Sequence, residues 1–227
     1  MSNHIGTLNE KPLHAALKTW YEKPGDQFEV KLGRFVIDIK RDDLLIEIQT
    51  RSFSAMKRKL RTLLQDGHQV RLVHPIATEK WILKKNVETG EEEQRRKSPK
   101  KGTVEDVFTE LVSFPKLMLE PEFSLEVILI QEEEIRHYVG RKAWRKRGWA
   151  TEERRLLSVV GQHTFKDPAD FIRHLPPSLP ETFTTHDLAK ATGKQRTIAQ
   201  RMAYCLREMA AIEAIGKKGR SILYRFT

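Results

Sequence analysis

The spacing of hydrophobic and polar residues in the first third of the chain is typical of helices packed on a β-sheet. Leu13, Leu17 and Trp20 recur at helical intervals, and β-branched runs joined by a charged turn follow them. In chain order, the pattern predicts a helix at 8–21, strands at 28–40 and 44–50, a helix at 52–65, and strands at 70–75 and 80–84. This order predicts an α/β fold in which a mixed sheet is flanked by helices.

Further elements follow the polar, charged stretch at 86–102. The pattern predicts a short helix at 104–111, a strand at 125–130, a helix from Thr151 through Val160, and a brief helix at the start of the proline-rich stretch 168–180. Glu132, Glu133 and Glu134 come directly after the strand. Because neighbouring side chains on a strand alternate between its faces, we interpret the triplet as a solvated strand end rather than a second metal site.

The last quarter of the chain predicts two helices followed by two strands. Thr185 is placed to cap the first helix, and Gly193 marks a tight turn before the second. The strands, at 212–215 and 221–226, flank the basic segment 216–220.

Charge is distributed unevenly. The chain carries 41 basic and 31 acidic residues and a net charge of +10. Residues 141–155 and residues 181–227 each contribute +5, whereas residues 1–140 hold 23 residues of each sign and sum to zero. A localised basic excess favours a polyanionic partner, so nucleic acid is the expected one and a solvated basic surface is the alternative. The cluster at 141–147, followed by Trp149, suits either phosphate contact with base stacking or an ordinary packed turn.

Composition restricts the cellular setting. The first residues lack the features of a secretory signal, and no apolar run has the roughly 18 residues that a membrane helix requires, so we expect a soluble, cytoplasmic protein without a membrane partner. The single cysteine, Cys205, excludes an internal disulfide and a cysteine-based zinc cluster, and its apolar neighbours predict a core position.

The candidate chemistry lies in the hairpin formed by residues 35–50. If its strands pair, Asp38 can lie near Glu47, with Gln49 one step further along the same face. Two carboxylates held close together are costly without a cation, so the pair predicts a site for a hard divalent metal such as Mg²⁺. The alternative is that both are ordinary polar residues on an exposed face of the hairpin.

The residues around this hairpin resemble the PD-(D/E)XK nucleases, the restriction-endonuclease-like superfamily, over residues 5–85. In that family a helix supplies an acid, matched by Glu10, and two paired strands supply the acids matched by Asp38 and Glu47. Gln49 stands where the family usually has lysine. Lys40 and Lys57 are the candidates for a substitute cation. Because some family members use glutamine at this position, we expect Gln49 instead, with the metal ion doing most of the work.

The resemblance implies metal-assisted hydrolysis of phosphodiester bonds. Asp38, Glu47 and the backbone carbonyl of Ile48 would hold Mg²⁺ or Mn²⁺, with Glu10 as a direct or water-mediated ligand and Gln49 orienting the attacking water. His14 and His74 can face the same cleft, but we expect them to be structural and leave them outside the catalytic set.

The C-terminal elements resemble a winged helix-turn-helix. This resemblance implies that the second helix enters the major groove of DNA and that the wing contacts the backbone or minor groove. The DNA contacts it implies are Lys194, Gln195, Arg196, Thr197, Gln200 and Arg201 on the turn and helix, and Lys217, Lys218 and Arg220 on the wing.

Together these features predict a restriction-endonuclease-like nuclease domain at 1–140, a basic helical connector at 141–180 and a winged-helix DNA-binding domain at 181–227. The expected function is a Mg²⁺-dependent DNA endonuclease acting on double-stranded DNA. The alternatives are a catalytically inactive nuclease-fold protein that binds DNA or regulates transcription, and a repair or assembly factor that binds structured nucleic acid. A double-strand break would require a homodimer, because one such site cuts one strand.

Overall fold

A computed structural model describes residues 11–85, 95–141 and 147–227 of the chain. The first part of the chain forms α1 (Pro12–Tyr21), β1 (Gln27–Leu32), β2 (Phe35–Arg41), β3 (Leu44–Ile48), a 3₁₀ turn (Phe53–Met56), α2 (Lys57–Gln65), β4 (Gln69–Lys85) and the short β5 (Arg96–Lys97). Pro12 lies in the first turn of α1, where its missing N–H costs nothing.

The second part begins with a short helical segment and continues into two long strands. Its elements are a 3₁₀ turn (Val104–Val107), α3 (Phe108–Leu111), a 3₁₀ turn (Pro115–Leu119), β6 (Phe123–Tyr138), β7 (Trp149–Phe165), α4 (Pro168–Arg173), β8 (Thr182–Phe183), α5 (Thr185–Thr192), α6 (Arg196–Glu208), β9 (Ile212–Lys218) and β10 (Ser221–Phe226).

The larger sheet has seven strands in the order β1-β2-β3-β4-β6-β7, with β5 paired to β4. β2 pairs antiparallel with β1 and β3, whereas β3 and β4 run parallel. The predicted mixed sheet with helices is therefore confirmed. Its interior is formed by buried aliphatic residues of the central strands, among them Ile37, Ile39, Ile46, Leu72 and Val127.

Two strand predictions need correction. The run 28–40 is not one strand, because the chain turns at Gly33, which has a positive φ of 56°, and forms β1 and β2. Conversely, the predicted strands at 70–75 and 80–84 are parts of one 17-residue strand, β4. Pro75 lies inside this strand rather than at its end.

The predicted helix from Thr151 through Val160 is wrong. This segment belongs to the 17-residue strand β7. Leu156, Leu157 and Val160 fit a helical spacing. However, β7 also contains Val159, Thr151 and Thr164, and such β-branched residues favour a pleated strand.

The interpretation of the glutamate triplet as a solvated strand end is also wrong. β6 continues through it, and Glu132 and Glu134 are 0% and 4% exposed. Lys80 contacts both carboxylates, at 2.8 Å and 3.0 Å, and Arg154 contacts Glu132 at 2.6 Å. Burial of Glu134 favours the neutral acid and raises its pKa. Hydrogen bonds from Arg136, Thr151 and Lys80 outweigh this effect and hold the pKa down at about 2.

The C-terminal segment forms a three-stranded antiparallel sheet, ordered β8-β10-β9, with α5 and α6. The cap of α5 is Thr184 rather than the predicted Thr185. The Thr184 hydroxyl accepts from the backbone of Asp187, whose carboxylate accepts from the Thr184 backbone N–H. Gly193 ends α5 with a φ of 66°, as the predicted tight turn requires.

The chain divides into two compact units. The first comprises Met1–Asp26, Pro75–Thr103 and Ile128–Gln162, and the second comprises Gln27–His74, Val104–Val127 and His163–Thr227. In the described part of the chain, no helix is both long and apolar enough to span a membrane. Cys205 is fully buried, as predicted, and burial followed by the charge of Glu208 raises the pKa of its thiol to about 12.

Candidate metal centre and nucleic-acid interface

The structure brings the two carboxylates of the predicted site together. β2 and β3 pair as Ile39 with Ile46 and Lys40 with Leu45, and continuing this register by one pair sets Asp38 opposite Glu47. Directly opposite residues of an antiparallel pair share a face of the sheet. Asp38 Oδ2 also accepts a hydrogen bond of 2.8 Å from the backbone N–H of Ile48, which fixes the aspartate against β3.

Glu47 is in an unusual electrostatic position. Glu47 is only 3% exposed. Its burial and, to a lesser extent, the negative charge of Asp38 raise its pKa from the ordinary 4.5 to about 7. Near neutral pH the Glu47 carboxyl is therefore only partly ionised, and a cation that binds beside it favours the ionised form.

A lysine from α2 reaches this carboxylate. Lys59 Nζ lies 2.5 Å from Glu47 Oε1 and donates a 2.5 Å hydrogen bond to the backbone oxygen of Val36. Its ammonium group lowers the pKa of Glu47 and thus opposes burial and Asp38. Continuing the β2–β3 register sets Val36 opposite Gln49. The Lys59 ammonium therefore lies at the end of the hairpin where the PD-(D/E)XK pattern has its lysine.

The sequence reasoning missed Lys59 and named Lys40 and Lys57 instead. Lys57 is exposed and Lys40 is half-buried. Helical geometry contained the missing signal, because Lys59 comes one turn before the buried Leu63 and therefore borders the apolar face of α2.

Gln49 is placed near the pair, but its amide group is engaged locally. Its Nε2 donates to the backbone oxygen of Ser52 at 3.2 Å, and its Oε1 accepts from the N–H of Arg51 at 3.3 Å. Its backbone N–H donates to the Val73 oxygen at 2.9 Å, which extends the pairing of β3 with β4. The amide would have to leave this turn to orient a water molecule.

An aromatic cluster supports the end of β3. His74 Nδ1 lies 2.6 Å from the Gln49 backbone oxygen, and its ring packs edge-on against Phe53 with centroids 4.8 Å apart. Phe53 stacks on Phe114 at 5.3 Å, and its N–H donates to Glu110 Oε2 at 3.2 Å. These contacts hold the start of the segment that carries Lys59, and they give His74 a hydrogen-bond partner and a packing partner.

The described metal-binding candidates, Asp38 and Glu47, are oxygen donors that suit a hard divalent cation. Among the described residues no group of three or more His, Cys, Asp or Glu side chains converges, so Asp38 and Glu47 act as a pair. Glu10 lies outside the described residues. Two carboxylates are enough for Mg²⁺, which often binds through one or two carboxylates, water and substrate phosphate. The raised Glu47 pKa also favours a cation there.

The predicted DNA-contact residues are exposed with one exception. Gln195, Arg196, Thr197, Gln200 and Arg201 are exposed along the start of α6, and Lys217, Lys218 and Arg220 are exposed on the β9–β10 hairpin. Lys194 differs, because its side chain is only 11% exposed and forms a 2.8 Å ion pair with Asp106. Tyr204 and Arg207, which were not predicted, extend the exposed face of α6.

The opposite face of α6 is buried. It carries Ala199, Met202, Ala203, Cys205 and Leu206, and the helix packs against α5, α3 and the 3₁₀ turn at Pro115–Leu119. Lys116 adds a 3.6 Å ion pair to Glu208 at the end of α6. Packing on one face leaves the basic face of α6 accessible to a ligand.

Comparisons with known proteins identify one family. A protein of Treponema pallidum (strain Nichols), named only as an uncharacterized protein, is 32% identical over 225 residues, which cover 97% of this chain and 87% of the relative. No solved structure matches significantly. The family model described as "Domain of unknown function (DUF8091)" matches residues 11–166, a range that includes the Asp38–Glu47 pair. With most of its length matched by this model, the chain belongs to the DUF8091 family.

Proposed function

We propose that the chain is a divalent-metal-dependent DNA endonuclease that combines a restriction-endonuclease-like nuclease site with a C-terminal winged helix. The observation that carries the proposal is the pairing of half-buried Asp38 with buried Glu47 on adjacent antiparallel strands, with the ammonium group of Lys59 beside Glu47. Carboxylates that would repel each other without a cation are characteristic of metal-assisted phosphoryl chemistry.

Each residue has a distinct part in this function. Asp38 and Glu47, with the carbonyl of Ile48, would hold Mg²⁺ or Mn²⁺. When bound, the ion supplies an activated water and charge stabilisation at the phosphorus. The Lys59 ammonium is the positive group that Gln49 cannot provide, and it would orient a phosphate oxygen at the end of the hairpin.

The C-terminal segment supports DNA as the substrate. α5, the turn at Gly193, α6 and the β9–β10 hairpin follow the order of a winged helix-turn-helix, preceded by α4 and β8. The exposed basic residues of α6 and of the hairpin match the contacts that such a domain makes with duplex DNA.

A non-catalytic DNA-binding or regulatory protein is the second candidate. Two observations favour it: Lys59 already neutralises Glu47, and the Gln49 amide is bonded within its own turn. In that protein the Lys59–Glu47 ion pair would replace the metal as the group that balances the buried Glu47 carboxylate.

The test is cleavage of supercoiled plasmid with Mg²⁺ or Mn²⁺ at pH 6 and pH 8. We expect nicked or linear DNA only when the ion is present, with loss of activity in EDTA. The rate should be higher at pH 8, by up to about tenfold, because the Glu47 pKa of about 7 leaves the carboxyl mostly protonated at pH 6 and a proton competes with the ion.

Two outcomes would contradict the proposal. Cleavage that persists in EDTA would exclude the metal site as its source. Absence of cleavage on supercoiled, relaxed and single-stranded DNA with either ion would favour the non-catalytic protein.

DNA binding by α6 gives a separate prediction. The double variant Arg196→Ala/Arg201→Ala should bind duplex DNA more weakly, because both side chains are exposed on the face assigned to DNA. If both contact phosphates, the slope of log affinity against log salt should flatten by about 1.8. Fluorescence anisotropy over a salt series measures both quantities.

The matched control is Lys100→Ala/Lys101→Ala, which removes the same charge from two exposed residues outside α6. An equal loss of affinity in both double variants would mean that only net charge matters and would remove α6 from the DNA contact.

A further inference from the structure

The adjoining ends of β6 and β7 carry an aromatic pair, one ring of which is exposed. Tyr138, the last residue of β6, is 59% exposed, and its ring lies edge-on to Trp149, the first residue of β7, with centroids 5.6 Å apart. The N–H of Val139 donates to the Gly148 oxygen at 2.7 Å and closes the base of the turn. A tyrosine this exposed loses most of the benefit of burying its ring, so its position needs another explanation.

Gly148 shows that this aromatic position is built into the backbone. Its φ is +88°, and a Cβ at this residue would lie 2.3 Å from Tyr138 Cε2. Any other residue would therefore displace the tyrosine ring as well as strain the turn. The absence of a Cβ at Gly148 therefore lets the Tyr138 ring lie against the backbone while it stays exposed.

Lys84 contacts the pair, and two exposed arginines lie close to it in the chain. Lys84 Nζ lies 4.1 Å from the centre of the Trp149 ring, and Arg141 and Arg147 are exposed three residues after Tyr138 and two residues before Trp149. The acidic residue described next to the turn, Glu152, lies 3.8 Å from His137. We call Lys84, Tyr138, Arg141, Arg147 and Trp149 the hairpin tip.

We propose that the hairpin tip binds single-stranded DNA, with the Tyr138 ring stacked on an unpaired base and Arg141 and Arg147 at the flanking phosphates. Stacking on an exposed aromatic ring tolerates any base, and neighbouring cations follow the backbone; together they are the features of single-strand binding surfaces. A single strand uses both the exposed ring and the arginines, whereas a closed duplex offers no base face to Tyr138.

The strands behind the tip are suited to hold it still. Thr151 donates to Glu134 at 2.6 Å, which ties the start of β7 to the end of β6, and Arg136 of β6 donates to the same carboxylate at 2.8 Å. A stacking residue fixed before binding loses little conformational entropy when the base arrives. The inference needs neither the metal site nor the C-terminal segment.

The test is anisotropy of a labelled 20-nucleotide oligothymidine with the full chain in EDTA. Tyr138→Ala should weaken binding by about 5- to 150-fold, because one base–aromatic stack is lost, and Tyr138→Phe should bind nearly as well as the unmodified protein. Trp20→Ala is the matched control, since Trp20 is another aromatic residue of similar exposure, 42%. A blunt duplex should be affected far less than the oligothymidine.

Several results would overturn the proposal. These are absence of oligothymidine binding at low salt, an unchanged affinity of Tyr138→Ala, or an equal loss for the blunt duplex. Competition by polyglutamate as strong as that by unlabelled oligothymidine would assign the tip to an acidic protein partner instead.

One variant separates this inference from the proposed function. The Arg196→Ala/Arg201→Ala protein should keep its oligothymidine affinity even if its duplex affinity falls. If both affinities fell together, single-strand binding would belong to α6 and the tip would have no role in it. Failure of plasmid cleavage would leave the oligothymidine result unaffected.

Discussion

Asp38→Ala and Glu47→Ala are each expected to lower metal-dependent DNA cleavage by on the order of 10³-fold or more. Each substitution removes one of the two carboxylates that would hold the ion, and the charge stabilisation lost with the ion is several kcal/mol. The measurement is the rate of plasmid conversion at saturating Mg²⁺, with DNA affinity determined in parallel to show that substrate still binds.

Asp43→Ala is the matched control for this pair. Asp43 is an exposed acid in the turn of the same hairpin, so its loss changes the charge without touching the site. Full activity of both Asp38→Ala and Glu47→Ala would refute the site assignment, and an equal fall in the Asp43 variant would reduce the effect to long-range charge.

Lys59→Met extends this series and distinguishes the two candidate functions. Without the ammonium group, Glu47 stays buried beside Asp38 with no described counter-charge from α2, so the apo protein should be less stable. In an enzyme, Mn²⁺ should recover the melting temperature while cleavage remains impaired. In a non-catalytic protein, Mn²⁺ should stabilise neither form.

The second large effect is expected on stability. Glu132→Ala should lower the free energy of unfolding by about 3–5 kcal/mol, because it breaks a buried ionic network and leaves Arg154 and Lys80 without this partner. Lys80 retains Glu134, so the effect falls mainly on Arg154. Urea denaturation followed by circular dichroism measures the change.

The control for this prediction is the neighbouring residue. Glu133→Ala removes the ion pair with Arg95, whose side chain is 44% exposed, and should cost about 1 kcal/mol or less. Similar losses for Glu132→Ala and Glu133→Ala would mean that burial of the network adds nothing to its strength.

The hairpin shows what the sequence can predict. Asp38 and Glu47 interrupt apolar runs at positions that pair across a short turn, so local pattern and register were enough to bring them together. Lys59 was missed because its contact with Glu47 depends on how α2 is placed over the strands. That placement rests on distant residues, such as Glu110 and Phe114 around Phe53.

The long strands show where local pattern fails. Glu132 and Glu134 look like solvated residues in sequence, and only the arrival of Lys80 and Arg154 from other strands allows their burial. The spacing of Leu156, Leu157 and Val160 suits a helix, yet pairing with β6 makes the segment a strand. In both cases tertiary contacts overrode the local signal.

Because Cys205 is buried, we expect the protein not to react with thiol reagents. With its side chain fully enclosed by α6 packing and its pKa raised to about 12, the thiolate that reacts with maleimides or oxidants is scarcely present at neutral pH. A cysteine introduced at an exposed position would therefore be the single reactive thiol of the chain. Fluorophores, spin labels and cross-linkers can then be attached at one chosen place without removing the natural cysteine.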